Sequence, residues 1–225
     1  RASPRIVPGP AETHERDPHR LIAMDPPADR AGMRASRHDY RTWHYVATIV
    51  FTGLCGWFVF RVGERPPGLT YMDIAVHETG HWLFRPFGEV VMLVMGNGTQ
   101  ILFPLTLAVA MLAWRRDLLA GAVLLAWAGE ACGDTAIYIA DAPEGRLPLL
   151  GAPEGDWTRI LGPDHLHRMQ FAEDYAHDVR VVAVLLMLAA VGICAYAILS
   201  LHRRSRSGSE APRAFAPVSP ERMWR

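Results

Sequence analysis

The stretch VVMLVMGNGTQILFPLTLAVAMLAW, from Val90 to Trp114, runs for 25 residues without a formal charge. A helix rising ~1.5 Å per residue needs about 20 apolar residues to cross a hydrocarbon core of ~30 Å, so this block is long enough to span a bilayer alone. Working outward, Tyr45 to Phe60, Leu118 to Gly129 and Val181 to Leu201 are also free of formal charge. The last spans by itself. The first does so once Thr42 to His44 are added, and the Leu118 block does so if it continues through Glu130 and Asp134 to Ala140. Half of the 225 residues (50%) are hydrophobic, and they are gathered into these blocks rather than spread as in a soluble core. The expected fold is all-α, a polytopic membrane helix bundle with four spans.

The flanks have a different composition. Residues 1–41, rich in Pro, Arg and Asp, read as a disordered tail, and residues 203–225 as a second, basic one. Between them lies a membrane domain over 42–202, with a long connection at 141–180. Cys55, Cys132 and Cys194 are scattered through apolar blocks, which suits buried small residues better than a disulfide framework or a CxxC metal site.

All 23 basic residues are Arg. They cluster before the first span (Arg34, Arg37, Arg41), between the second and third (Arg115, Arg116) and after the last (Arg203, Arg204, Arg206). The positive-inside rule puts these places on the cytoplasmic side, and the 141–180 connection, with eight acidic residues against four Arg, on the outer side. The expectation is an integral protein of a bacterial inner or plasma membrane with both tails cytoplasmic. The net charge is zero and says nothing about partners, and GNGTQ is no phosphate loop; no nucleic-acid partner is expected.

Between the first two spans lies TYMDIAVHETGHWLFRP, Thr70 to Pro86. Thr70 and Asp73 stand in capping-box spacing, and Pro86 closes the segment. At ~24 Å a helix of this length falls short of a span, which predicts a shorter, half-buried or re-entrant helix entering from the outer side at Thr70; the alternative is a full span, which would put the two tails on opposite sides. His77 and His81, four residues apart, project from one face and can share one metal, with Glu78 beside them. This is an H-E-x-x-H arrangement: two neutral imidazoles hold zinc, and the glutamate serves as catalytic base. Both histidines share one side, which argues against haem, whose ligands approach from opposite faces.

A zinc site needs a third protein ligand. Glu130, Asp134 and Asp141 form one carboxylate stripe on the third span, and matching depths favour Asp134, with Asp141 as the alternative. Gly129, Gly133 and Gly80 are expected to let the two helices approach. GNGTQ, Gly96 to Gln100, reads as a bend that presents Asn97 and Gln100 to a substrate backbone, or as a simple turn. His165, His167, His177 and Asp178 read as surface residues, and Asp156 with Trp157 as an interfacial anchor.

HETGHWLFRPFGEVVMLVMGNG resembles the first motif of site-2-protease-type intramembrane zinc metalloproteases. GDTAIYIADAPEGRLPLLG with DWTRILG resembles a set of uncharacterised bacterial membrane proteins carrying that motif. The resemblance covers His77 to about Gly162. It implies zinc held by His77 and His81, with Glu78 as base. The Leu-Asp-Gly motif that carries the third ligand in site-2 proteases is missing, so Asp134 or Asp141 would have to replace it.

Two function classes follow. One is an intramembrane zinc metalloprotease hydrolysing a peptide bond of a membrane-associated protein or peptide, with the lipid bilayer as its other partner. The other is a non-catalytic membrane protein whose cluster holds a structural metal or helix-packing hydrogen bonds.

Overall fold

A computed structural model describes residues 27–62, 66, 68–149 and 153–209. Most of each expected tail, 1–26 and 210–225, therefore lies outside the described residues. The chain divides into two units, Arg1–His38 and Asp39–Arg225. Described residues of the first are the opening turns of α1 (Pro27–Trp57), so helix reaches into the stretch expected to be a tail. Ala, Arg and Met dominate there after Pro27, and all three favour helix.

In the second unit α1 continues through a widened turn, Phe58–Val62, and is followed by α2 (Thr70–Phe84), α3 (Glu89–Ala110), α4 (Leu118–Asp141), α5 (Asp156–Leu161) and α6 (Ala172–Ser209). Every regular element among the described residues is helical. Four segments, Tyr40–Arg61, Glu89–Arg115, Leu118–Asp141 and Met169–Arg206, are long and apolar enough to cross a membrane. The architecture is a helical membrane bundle with the shorter HETGH helix packed on it.

α4 is the axis of the bundle. Asp117 caps its start, one carboxylate oxygen accepting from the backbone of Leu119 and Ala120, both at 3.1 Å. Its Gly- and Ala-rich surface lets neighbours in close, and 78% of its span is buried against 28% for each of the other three. α6 meets it with a heptad stripe of Ala176, Ala183, Ala190 and Ala197, all at most 2% exposed. Three apolar clusters stack along the axis. Tyr45, Ala122, Cys194 and Ala197 mark one end, Ala108, Leu125, Ala126 and Ala190 the middle, and Leu93, Ala136, Ile139, Ile160 and Leu161 the other. The first is the tail end, with Arg41, Arg115, Arg116 and Arg203 near it in sequence; the last is the loop end.

Small residues make the close approaches, though between other helices than the sequence suggested. A Cβ on Gly129 would meet Met187 of α6, one on Gly133 would run into Val59, and one on Gly80 would run into the Met95 carbonyl of α3. The glycines thus bind α4 to α6 and α1, and α2 to α3. They do not join α2 to α4.

α2 also runs opposite to the expected sense. A single turn, Arg85–Phe87, with Gly88 at φ 99°, joins it to α3, and Glu89 pairs with Arg159 at the loop end. Its other end is deeper: Asp73 is fully buried and accepts from Trp127 Nε1 at 2.7 Å, midway along α4. Thr70 is therefore the inner end of the helix. The capping box is not formed, because Asp73 turns inward to Trp127 and Leu69 occupies the cap position without a side-chain bond.

Candidate metal centre

The antiparallel α2–α3 hairpin sets the histidines. His77 and His81 face α3 at Gly96, where an added Cβ would lie 2.6 Å from His81 Cε1 and 2.8 Å from His77 Cε1. GNGTQ is accordingly no bend: α3 runs through it without a break, and the Gly96 position is bare so that two imidazoles can lie against the backbone.

His81 Nδ1 lies 2.9 Å from the Met92 carbonyl. A carbonyl only accepts, so this nitrogen carries the proton and neutral His81 presents a bare Nε2, the tautomer a metal ligand needs. His77 Nε2 lies 2.9 Å from it. The third member is Asp156, on the first turn of α5, with Oδ2 at 3.0 Å from both Nε2 atoms. Among the described residues this is the one group of His, Cys, Asp or Glu side chains that converges as a metal requires.

The three donor atoms form a nearly equilateral triangle with edges of 2.9 to 3.0 Å. Tetrahedral zinc with bonds of ~2.0–2.1 Å sets its ligand atoms about 3.3 Å apart, so each edge would open by only about 0.3–0.4 Å. The residues fit the ion. Two neutral imidazoles and one carboxylate are also a donor set that zinc accepts. The two histidines differ in support, since the buried Nδ1 of His77 has no hydrogen-bond partner among the described residues.

Electrostatics tie the triangle together. The hydrogen bond that His81 donates to Asp156 raises the His81 pKa above its ordinary value against the opposing effect of burial. Burial would raise the Asp156 carboxyl, but hydrogen bonds from His77 and His81 outweigh it and hold the group well below the usual carboxylate range.

α5 is held firmly where it brings Asp156 in. Ile160 and Leu161 are each 1% exposed in the loop-end cluster. Thr158 Oγ1 donates to the Ala142 carbonyl at 3.0 Å, Trp157 Nε1 donates to Asn97 Oδ1 at 2.8 Å, and Arg159 pairs with Glu89. A cavity of about 320 Å³ opens beside the triangle, lined by His77, Glu78, His81, Asp156 and Tyr138. Glu78 is exposed on it.

The other expected site residues are occupied elsewhere. Asp134, 2% exposed, accepts from Gln100 Nε2 at 3.0 Å. Asp141 lines the cavity, but its two oxygens accept from the backbone of Arg146 and Leu147 at 3.1 and 2.9 Å, closing the turn after α4. Neither joins the histidine pair, because α3 takes Asp134 and the turn takes Asp141. Asn97 and Gln100, 3% and 0% exposed, are bonded to each other and to Trp157 and Asp134, and Asn97 also lines the cavity. His167, His177 and Asp178 are exposed; His165 is half-buried, 3.9 Å from Glu89.

Against protein-family models, curated proteins and solved structures, the chain finds no match.

Proposed function

We propose that this protein is an integral membrane zinc-dependent hydrolase, an intramembrane metalloprotease that cleaves a membrane-associated protein or peptide near the outer face, with both tails cytoplasmic. One observation carries the reading: two imidazole Nε2 atoms and a carboxylate oxygen stand 2.9 to 3.0 Å apart on the wall of a cavity that Glu78 shares. Zinc held there supplies Lewis acidity to polarise a carbonyl. His81 enters with its tautomer already set by Met92, and Asp156 contributes a negative charge that offsets part of the ion's. Glu78, on the cavity wall next to His77, would take a proton from an attacking water and return it to the leaving amine. A cavity of about 320 Å³ admits a few residues of an extended chain.

Glu78→Gln preserves shape and all three zinc ligands. Zinc content of the purified full chain should stay at the wild-type level, while cleavage of co-reconstituted membrane proteins falls by roughly 10² to 10⁴. A second reading rests on the His81 bonds, which already knit α2 to α3 and α5. If the centre is a structural tie, Glu78→Gln changes nothing and His81→Ala lowers the melting temperature instead.

A further inference from the structure

A chain of four side chains crosses the bundle from α5 to α4. Trp157 Nε1 donates to Asn97 Oδ1 at 2.8 Å, Asn97 Nδ2 donates to Gln100 Oε1 at 3.3 Å, and Gln100 Nε2 donates to Asp134 Oδ2 at 3.0 Å. Asn97, Gln100 and Asp134 are at most 3% exposed. Every donor points the same way, towards the carboxylate.

That polarity is dictated from the buried end. Each amide has one donor side and one acceptor side, so fixing either side fixes the other. A carboxylate only accepts, so Gln100 must turn its NH₂ towards Asp134 and its oxygen towards Asn97. Asn97 then offers NH₂ to Gln100, which leaves its oxygen for Trp157. The indole N–H can only donate, and it finds the acceptor it needs. With the acceptor at Asp134 removed, both amides are free to turn over, and the reversed chain sets an amide NH₂ against the indole N–H. Two donors would then face each other beside Asp156.

We propose that Asp134 is a positioning residue for the metal centre, acting through Gln100, Asn97 and Trp157 to hold the first turn of α5, and with it Asp156, against His77 and His81. The zinc part of this inference rests on the function proposed above. The hydrogen-bond relay does not. Asp134 thus serves the site from outside it, by setting the direction of a hydrogen-bond chain.

The experiment uses the full chain in lipid nanodiscs and two readouts. The first is the indole ¹⁵N–¹H resonance of Trp157 in metal-free protein, assigned by its loss in Trp157→Phe. Asp134→Leu should move this resonance to the position of an indole without an acceptor and speed its exchange with deuterated water. Asp134→Asn, which can still offer an oxygen to Gln100, should leave it in place. Gln100→Met breaks the chain in its middle while keeping the Asp134 charge, so it should match Asp134→Leu and serves if that variant folds poorly.

The second readout is zinc affinity. Asp134→Leu and Trp157→Phe should each weaken it by about tenfold, the lower end of the effect of removing a residue that orients a ligand. Combined, they should weaken it no further than Trp157→Phe alone, because they interrupt one path. Effects that multiply, or an indole resonance indifferent to Asp134→Leu and Gln100→Met, overturn the proposal. Wild-type protein that binds no zinc while its indole resonance still responds refutes the metal reading and leaves the relay established.

Discussion

The third span and the histidine hairpin both carry ionisable residues into an apolar bundle, but they use them in opposite ways. On α4, Glu130 and Asp134 are 0% and 2% exposed, and the Asp134 carboxylate is engaged by Gln100. On α2 and α5 the side chains of His77, His81 and Asp156 are 18%, 19% and 20% exposed, and their donor atoms converge on one point beside a cavity. An ionisable group inside a membrane domain is costly and must be satisfied. Where a neighbouring helix engages it, as Gln100 does Asp134, it is held in a buried hydrogen bond. Where it stays open to a cavity among like donors, it forms a candidate site.

The sharpest way to break this contrast is to remove one carboxylate from each region. Asp156→Ala takes a ligand from the triangle and should lower zinc affinity by more than ~100-fold, beyond the scale seen when only an orienting residue is lost. Asp141→Asn should hold zinc within a few-fold of wild type. Isothermal titration of the reconstituted variants checks this, and comparable losses in the two would mean that α4 supplies a ligand after all.

Much of the fold was legible because it follows from length and hydropathy. Four uncharged blocks predicted four spans, and HETGH predicted two imidazoles on one helical face. The sense of α2 was not legible, since it depends on a single turn at Arg85–Gly88 and on the buried Asp73–Trp127 bond, neither of which has a periodic signature. The third member of the donor triangle was not legible for a related reason. Matching depths on two spans pointed to Asp134, whereas Asp156 comes from a six-residue helix in the long connection, placed by Ile160 and Leu161. The usable signal was the DWTRIL pattern, an acidic residue leading a short apolar turn. Asn97 and Gln100 stand out in the sequence as polar residues in a span, and in the structure they form a buried hydrogen-bonded chain whose Asn97 end lines the cavity.

A glycine comparison gives a smaller effect and tests the hairpin itself. Gly96→Ala puts a Cβ within 2.8 Å of both imidazoles, so the rings must move or the helices part. We expect a loss of about 1–3 kcal/mol of stability, the usual cost of overpacking, together with weaker zinc binding. Gly53→Ala, in α1, has nothing within 4 Å of its added Cβ and should be neutral or stabilising by up to about 1 kcal/mol. Thermal unfolding with and without zinc separates the two. Equal behaviour would mean that the imidazoles do not rest on α3.

The smallest expected effect is the pH dependence of the metal-free site, and its sign follows from the two shifted groups. His81 has a folded pKa above its ordinary 6.5, so its contribution is complete below that value and is lost as pH rises through the folded one. Asp156 has a folded pKa below its ordinary 3.8, so its contribution is complete above that value and is lost only as pH falls towards the folded one. The metal-free pair therefore stabilises fully between the two ordinary values and weakens on the alkaline side. Zinc reverses the slope, because binding must displace the His81 proton and so strengthens as pH rises. In chelator the melting temperature should fall by no more than about 2–4 °C from pH 6 to pH 8.5, and with zinc it should rise over the same range. Asp156→Asn removes the charge that holds the His81 proton and should flatten the metal-free slope. A slope unaltered by that substitution would place the titrating group elsewhere in the bundle and detach Asp156 from the histidine pair.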